Sequence, residues 1–134
     1  MKCDDGHVRS LRYRYLWLFA GLCLVGMVLY TTLMPAIAAP VLMNDKAAHG
    51  IAFVVLMIWF CGIFEMRFAP LVAIALLLLG VTIELVQQQL TYRSAELADG
   101  LADLSGIGVG WILAVVGLQH WATRLEAWVL PDRS

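Results

Sequence analysis

Charge is scarce in this chain. Of 134 residues only 14% are charged and 62% are apolar, a balance that excludes an ordinary soluble domain. Nine basic residues stand against ten acidic ones, so no electrostatic footprint for nucleic acid exists. Cysteine is scarce and odd in number: Cys3, Cys23 and Cys61. Two of them fall within apolar runs and none forms a Cys-x-x-Cys pair, which excludes a disulfide framework or a thiolate metal site. Internal repeats, low-complexity segments and interdomain linkers are also missing, so the chain is read as one domain. No His-Glu-x-x-His motif supports a metal, and none is expected; no cofactor is expected either. A Gly-x-Ser-x-Gly elbow is lacking too, although Ser94 and Ser105 are present.

What the chain has is apolar length. Runs of about 15–33, 47–64, 70–89 and 99–118 each suffice, at 1.5 Å per residue, to cross a hydrocarbon core of roughly 30 Å. The expected class is therefore an all-α integral membrane protein with four transmembrane helices and short loops. Residues 1–14 form a basic cytoplasmic N-terminus and 119–134 a cytoplasmic interfacial tail with Trp121, Arg124 and Trp128. Ala36-Ile37-Ala38 resembles a signal-peptidase site, but the first run exceeds a usual signal core of roughly 7–15 residues. It is read as an uncleaved helix. Lys2, Arg9, Arg12, Arg14, Arg67, Arg124 and Arg133 fall on one side, and only Lys46 and Arg93 on the other. That asymmetry predicts an N-in, C-in topology.

This topology gathers the remaining polar residues at the outer end. Asp45 and His49 are four apart at the start of the second helix, where Asn44 or Asp45 is a good N-cap. Glu84, Gln87 and Gln88 lie near the end of the third. Asp99 and Asp103 open the fourth, followed by Gly106-x-x-x-Gly110, a spacing that permits close helix packing. Glu84 stands out, because a carboxylate about 9 Å of helix rise inside a span is disfavoured unless it is paired or faces a cavity. From these residues alone, a structural Glu84–Arg93 ion pair and a ligand site are equally good readings. His49 with Asp45 also fits a simple helix-start hydrogen bond.

Asp45-Lys46-x-x-His49 with Phe53, then Glu84-x-x-Gln87, Arg93, Asp99, Gly106 and Gly110 together resemble the VanZ-like family of small bacterial membrane proteins. The match covers roughly residues 44–110. Where that family typically has Asn, four residues after the Asp, this chain has Asp103. The resemblance implies a multi-pass protein of the bacterial inner (cytoplasmic) membrane, linked to glycopeptide antibiotic resistance. It also implies a shared outer site on Asp45, Lys46, His49, Glu84, Gln87, Arg93 and Asp99, with Asp103 beside them.

The expected function is binding or modification of an anionic cell-envelope lipid or glycan precursor, with Lys46 and Arg93 on the anion. Two alternatives belong to other classes. One is a membrane-embedded enzyme on a lipid intermediate, with His49 and Glu84 or Asp99 as acid and base. The other is a membrane-protein assembly factor that docks a partner on the glycines of the fourth helix.

Overall fold

The computed structural model describes residues 11–35, 45–92 and 96–129, with the side chain of Asp45 excepted. Within them the chain forms α1 (Arg14–Leu33), α2 (Asp45–Ile63), α3 (Ala69–Gln89), α4 (Leu97–Val116) and a short α5 (Trp121–Val129). The first four are long and apolar enough to cross a membrane. Their ends follow local chemistry. Pro70 sits in the first turn of α3, where its missing N–H costs nothing. Gly117, at φ 154°, stops α4 at Val116, two residues short of the expected 118, because a side chain there would be strained. The polar break at Glu65-Met66-Arg67 becomes a 3-10 turn, Met66–Phe68, closed by an Arg67–Glu65 ion pair at 2.9 Å.

The helices run up and down. The start of α2 meets the start of α4 through His49 and Asp103, and the end of α3 meets the end of α1 through Gln87 and Thr32. Around the centre, Phe53, Leu56, Met57, Ile83, Ile107 and Ala114 are buried. The closest seam joins α2 and α4. A Cβ added at Gly110 would lie 2.7 Å from Met57 Cβ and 2.9 Å from the Val54 carbonyl, and one at Gly106 would meet the Gly50 carbonyl. These glycines therefore serve packing within the chain. The stripe expected to dock a partner is thus occupied here by α2. Gly108, on the other face, has open space around it.

The far end of the bundle is locked by aromatic rings and one acid. Trp17, Trp59 and Trp121 pack together at centroid distances of 4.6–6.0 Å. Trp59 Nε1 donates to the Trp17 carbonyl at 3.2 Å and Trp121 Nε1 to the Ile58 carbonyl at 3.1 Å. Trp121 is thus part of the packed bundle end. Trp128 does project outward, at 81% exposure. Glu126 of α5 accepts from the backbone N–H groups of Arg12 and Tyr13, at 2.9 and 3.1 Å, and from Trp17 Nε1 at 2.7 Å. A carboxylate here caps donors that the start of α1 leaves without intrahelical partners and complements its dipole.

Partial burial works to raise the pKa of Glu126, but the Trp17 bond, the two backbone donors and the Arg12 charge outweigh it. The carboxyl consequently sits below its usual 4.5. A depressed native pKa adds stability above the unfolded value, and that stability is lost as pH falls through the native pKa. The melting temperature of wild type in detergent should fall on acidification below about pH 4.5. Glu126→Gln should melt lower at neutral pH and lose less on acidification; parallel melting curves for the two proteins would refute this.

Candidate functional site

The opposite end of the bundle carries the polar residues. His49, one turn into α2, and Asp103, two turns into α4, face each other across the tight α2–α4 seam. His49 Nδ1 lies 3.2 Å from Asp103 Oδ1, and the side chains are only 6% and 2% exposed. The two side chains share one hydrogen bond, in which the imidazole tautomer decides which of them donates.

Glycines make room for both acids between α3 and α4. A Cβ on Gly80 of α3 would sit 2.8 Å from Asp103 Oδ2, and a Cβ on Gly100 of α4 would sit 2.6 Å from Glu84 Oε1. Each acid therefore lies over a glycine of the facing helix. Asp103, Asp99 and His49 are the titratable side chains nearest to act on Glu84. Gln87, buried on the same helix, donates from Nε2 to the Thr32 carbonyl at 2.9 Å. Tyr92 Oη donates to the Leu33 carbonyl at 3.1 Å. Between them these two side chains satisfy C-terminal carbonyls of α1, which have no partner within the helix.

Three buried side-chain atoms have no hydrogen-bond partner among the described residues: Glu84 Oε1, Gln87 Oε1 and Asp103 Oδ2. All three are acceptors. Leaving one such atom buried and unmet costs on the order of 1–3 kcal/mol, more where it is charged. All three belong to residues at the same end of the bundle.

Of the residues expected at the site, His49, Glu84, Gln87, Asp99 and Asp103 all lie at this end. Lys46 lies at its rim, where Nζ is 2.7 Å from Glu96 Oε2, with side chains 44% and 53% exposed. The hydrogen bond from Lys46, then its charge, hold the Glu96 carboxyl below the usual carboxylate range. Sequence reasoning missed Glu96, since a lone acid at a helix start reads as a dipole-favoured surface residue. It also missed Gly80 and Gly100, whose role appears only once α3 and α4 are set face to face. Arg93 and the Asp45 side chain lie outside the described residues, and with them the Glu84–Arg93 ion pair. Among the described residues no three His, Cys, Asp or Glu side chains converge as metal ligands.

Fold and site define a small four-helix protein with spans of membrane-crossing length and a buried histidine–carboxylate–amide cluster at one end. No family model and no solved structure matches the chain. It is 31% identical, over 121 residues, to an uncharacterized protein of the fission yeast Schizosaccharomyces pombe, covering 87% of this chain and 70% of the relative. The chain belongs to the same family as that yeast protein.

The site makes Asp103 the residue most sensitive to replacement. Asp103→Leu should lower unfolding free energy in detergent by about 1–3 kcal/mol by facing His49 Nδ1 with an apolar group. Asp103→Asn keeps an acceptor and should cost under about 1 kcal/mol on the same scale. Equal melting temperatures for the two variants would refute the pairing.

Proposed function

We propose that this is a VanZ-like multi-pass membrane protein whose polar end binds, or modifies, an anionic cell-envelope lipid or glycan precursor. Supporting membrane insertion, the outward faces carry large apolar side chains such as Leu22, Leu78, Ile112 and Val116, which hydrocarbon solvates and water does not. The basic residues Arg12, Arg14, Arg67 and Arg124 favour the Trp-rich end as cytoplasmic. That gives N-in, C-in and an outward-facing cluster. A C-terminal reporter active only outside the cytoplasm would overturn this orientation.

The observation that carries the ligand reading is the set of unmet acceptors on Glu84, Gln87 and Asp103. A membrane interior tolerates such groups where a ligand supplies donors. Sugar or glycerol hydroxyls match them. Lys46 at the rim, with Arg93 by its place in the sequence, would meet the anionic part. The fission-yeast relative is eukaryotic, so family membership does not itself bring a bacterial inner membrane. That location, and a link to glycopeptide resistance, rest on the VanZ-like resemblance.

Native mass spectrometry of protein gently extracted from its own membranes tests the binding reading. Wild type should carry a discrete lipid adduct that falls at least about tenfold in Arg93→Ala and Lys46→Ala, the equivalent of about 1.4 kcal/mol. An adduct retained in full by both variants, or none on wild type, would sink it.

A further inference from the structure

At the Trp-rich end, away from the polar cluster, an apolar groove opens on the outside of the bundle. Its mouth is a hollow of about 390 Å³ beside the 3-10 turn, lined by Phe64, Phe68 and Leu71, and Leu71 is 63% exposed. Through Phe64, Val72 and Ala75 it continues into a second hollow of about 320 Å³, which reaches Val25 of α1, Phe60 of α2 and Leu79 of α3. Phe60 and Phe64 stack along it, with ring centroids 6.4 Å apart. From Phe68 to Leu79 the groove follows α3 for about 16 Å, roughly half of a hydrocarbon core of about 30 Å. That is the depth of one leaflet. A partner helix would cross both leaflets, whereas this groove stops near the middle, where an acyl chain also stops.

The mouth carries one charge of each sign. Arg67 Cζ lies over the Phe68 ring, 4.9 Å from its centroid, and Arg67 Nε is 2.9 Å from Glu65 Oε2, with side chains 59% and 42% exposed. Both charges are thus accessible at the edge of the groove. Their bond engages Nε and one carboxylate oxygen, so the terminal N–H groups and the second oxygen can be met from outside.

We infer that this groove seats one acyl chain of a phosphatidylethanolamine, with the lipid phosphate on Arg67 and its ammonium on Glu65. The pair sums to zero charge, so an anionic head loses to Glu65 what it gains from Arg67, while a head with one charge of each sign gains from both. A choline head keeps its positive charge but has no N–H to donate to the carboxylate. The groove takes the chain and the ion pair selects the head. This inference rests on the membrane insertion read above, and it shares no residue with the polar end.

The test holds the chains constant and changes the head. Purified full-length wild type in detergent is titrated with dioleoyl phosphatidylethanolamine, phosphatidylcholine and phosphatidylglycerol and read by native mass spectrometry, with melting curves as the check on folding. The ethanolamine lipid should saturate at a concentration at least about fivefold below either of the others. Glu65→Gln should erase most of that preference, and Arg67→Gln should weaken all three lipids by a similar factor, since each carries the phosphate. Ala75→Trp, or Val72→Phe should the first fail to fold, should weaken all three without changing their order. An ethanolamine lipid bound no more tightly than the glycerol one, or a preference untouched in Glu65→Gln, overturns the head assignment. Undiminished binding to folded groove variants overturns the chain seat, and so does a lipid-free dimer that Ala75→Trp breaks up, which gives the groove to a second copy. Lys46→Ala should leave this binding unchanged, which separates it from the adduct expected at the polar end; its loss in that variant would overturn the placement.

Discussion

Asp103 is the residue around which the rest of the bundle must be arranged. A carboxylate buried to 1% in a bundle of apolar helices is tolerable only where neighbours come close enough to bond it and leave enough room to hold it. His49 meets the first need from α2, and Gly80 meets the second from α3. These requirements set the order of helices about α4. α2 must lie tight enough for Gly106 and Gly110 to touch its backbone, while α3 must present a glycine at the depth of the acid. The apolar core around Phe53, Met57 and Ile107 then fills the space these constraints leave.

The two ends of the bundle solve the same problem in opposite ways. At the Trp-rich end the donors and acceptors match. Glu126 accepts three hydrogen bonds, and the indoles of Trp59 and Trp121 each donate to a carbonyl. At the other end, among the described residues, Glu84, Gln87 and Asp103 each hold an oxygen without a hydrogen-bond partner. A fold that can match its polar groups at one end has no stability reason to leave them unmatched at the other. Acceptors left unmatched in a buried place cost stability, the more so where the surroundings are apolar.

Much of this was legible in the sequence. Apolar run length gave four helices to within a few residues, since span length is imposed by hydrocarbon thickness rather than by tertiary contacts. Helical spacing and up-down order brought His49, Glu84, Gln87 and Asp103 to one end. Pairing was not legible. Spacing offers Asp45, four residues away, as a partner for His49; the Asp45 side chain lies outside the described residues, and the described bond crosses 54 positions to Asp103. Gln87 illustrates the same limit, since it caps the end of α1 with one atom and leaves the other unmet. Glu126 as the cap of α1 was equally hidden, because its partners lie more than 100 residues away. Periodicity reports which face a side chain occupies; which helix faces it is a tertiary fact.

The histidine–carboxylate pair also bears on the choice between binding and catalysis. An acid that fixes the imidazole through Nδ1 is half of a nucleophilic apparatus, and the other half is a hydroxyl or thiol held at the second ring nitrogen. Among the described residues Ser105 is the hydroxyl nearest in sequence to Asp103. It is exposed, and its Oγ donates back to the Leu101 carbonyl at 2.7 Å, within its own helix. Cys61 is buried in the central core, three turns along α2 from His49. What the structure shows is a histidine–carboxylate bond that ties α2 to α4. The bond holds Asp103 in place, with its second oxygen against Gly80 of α3.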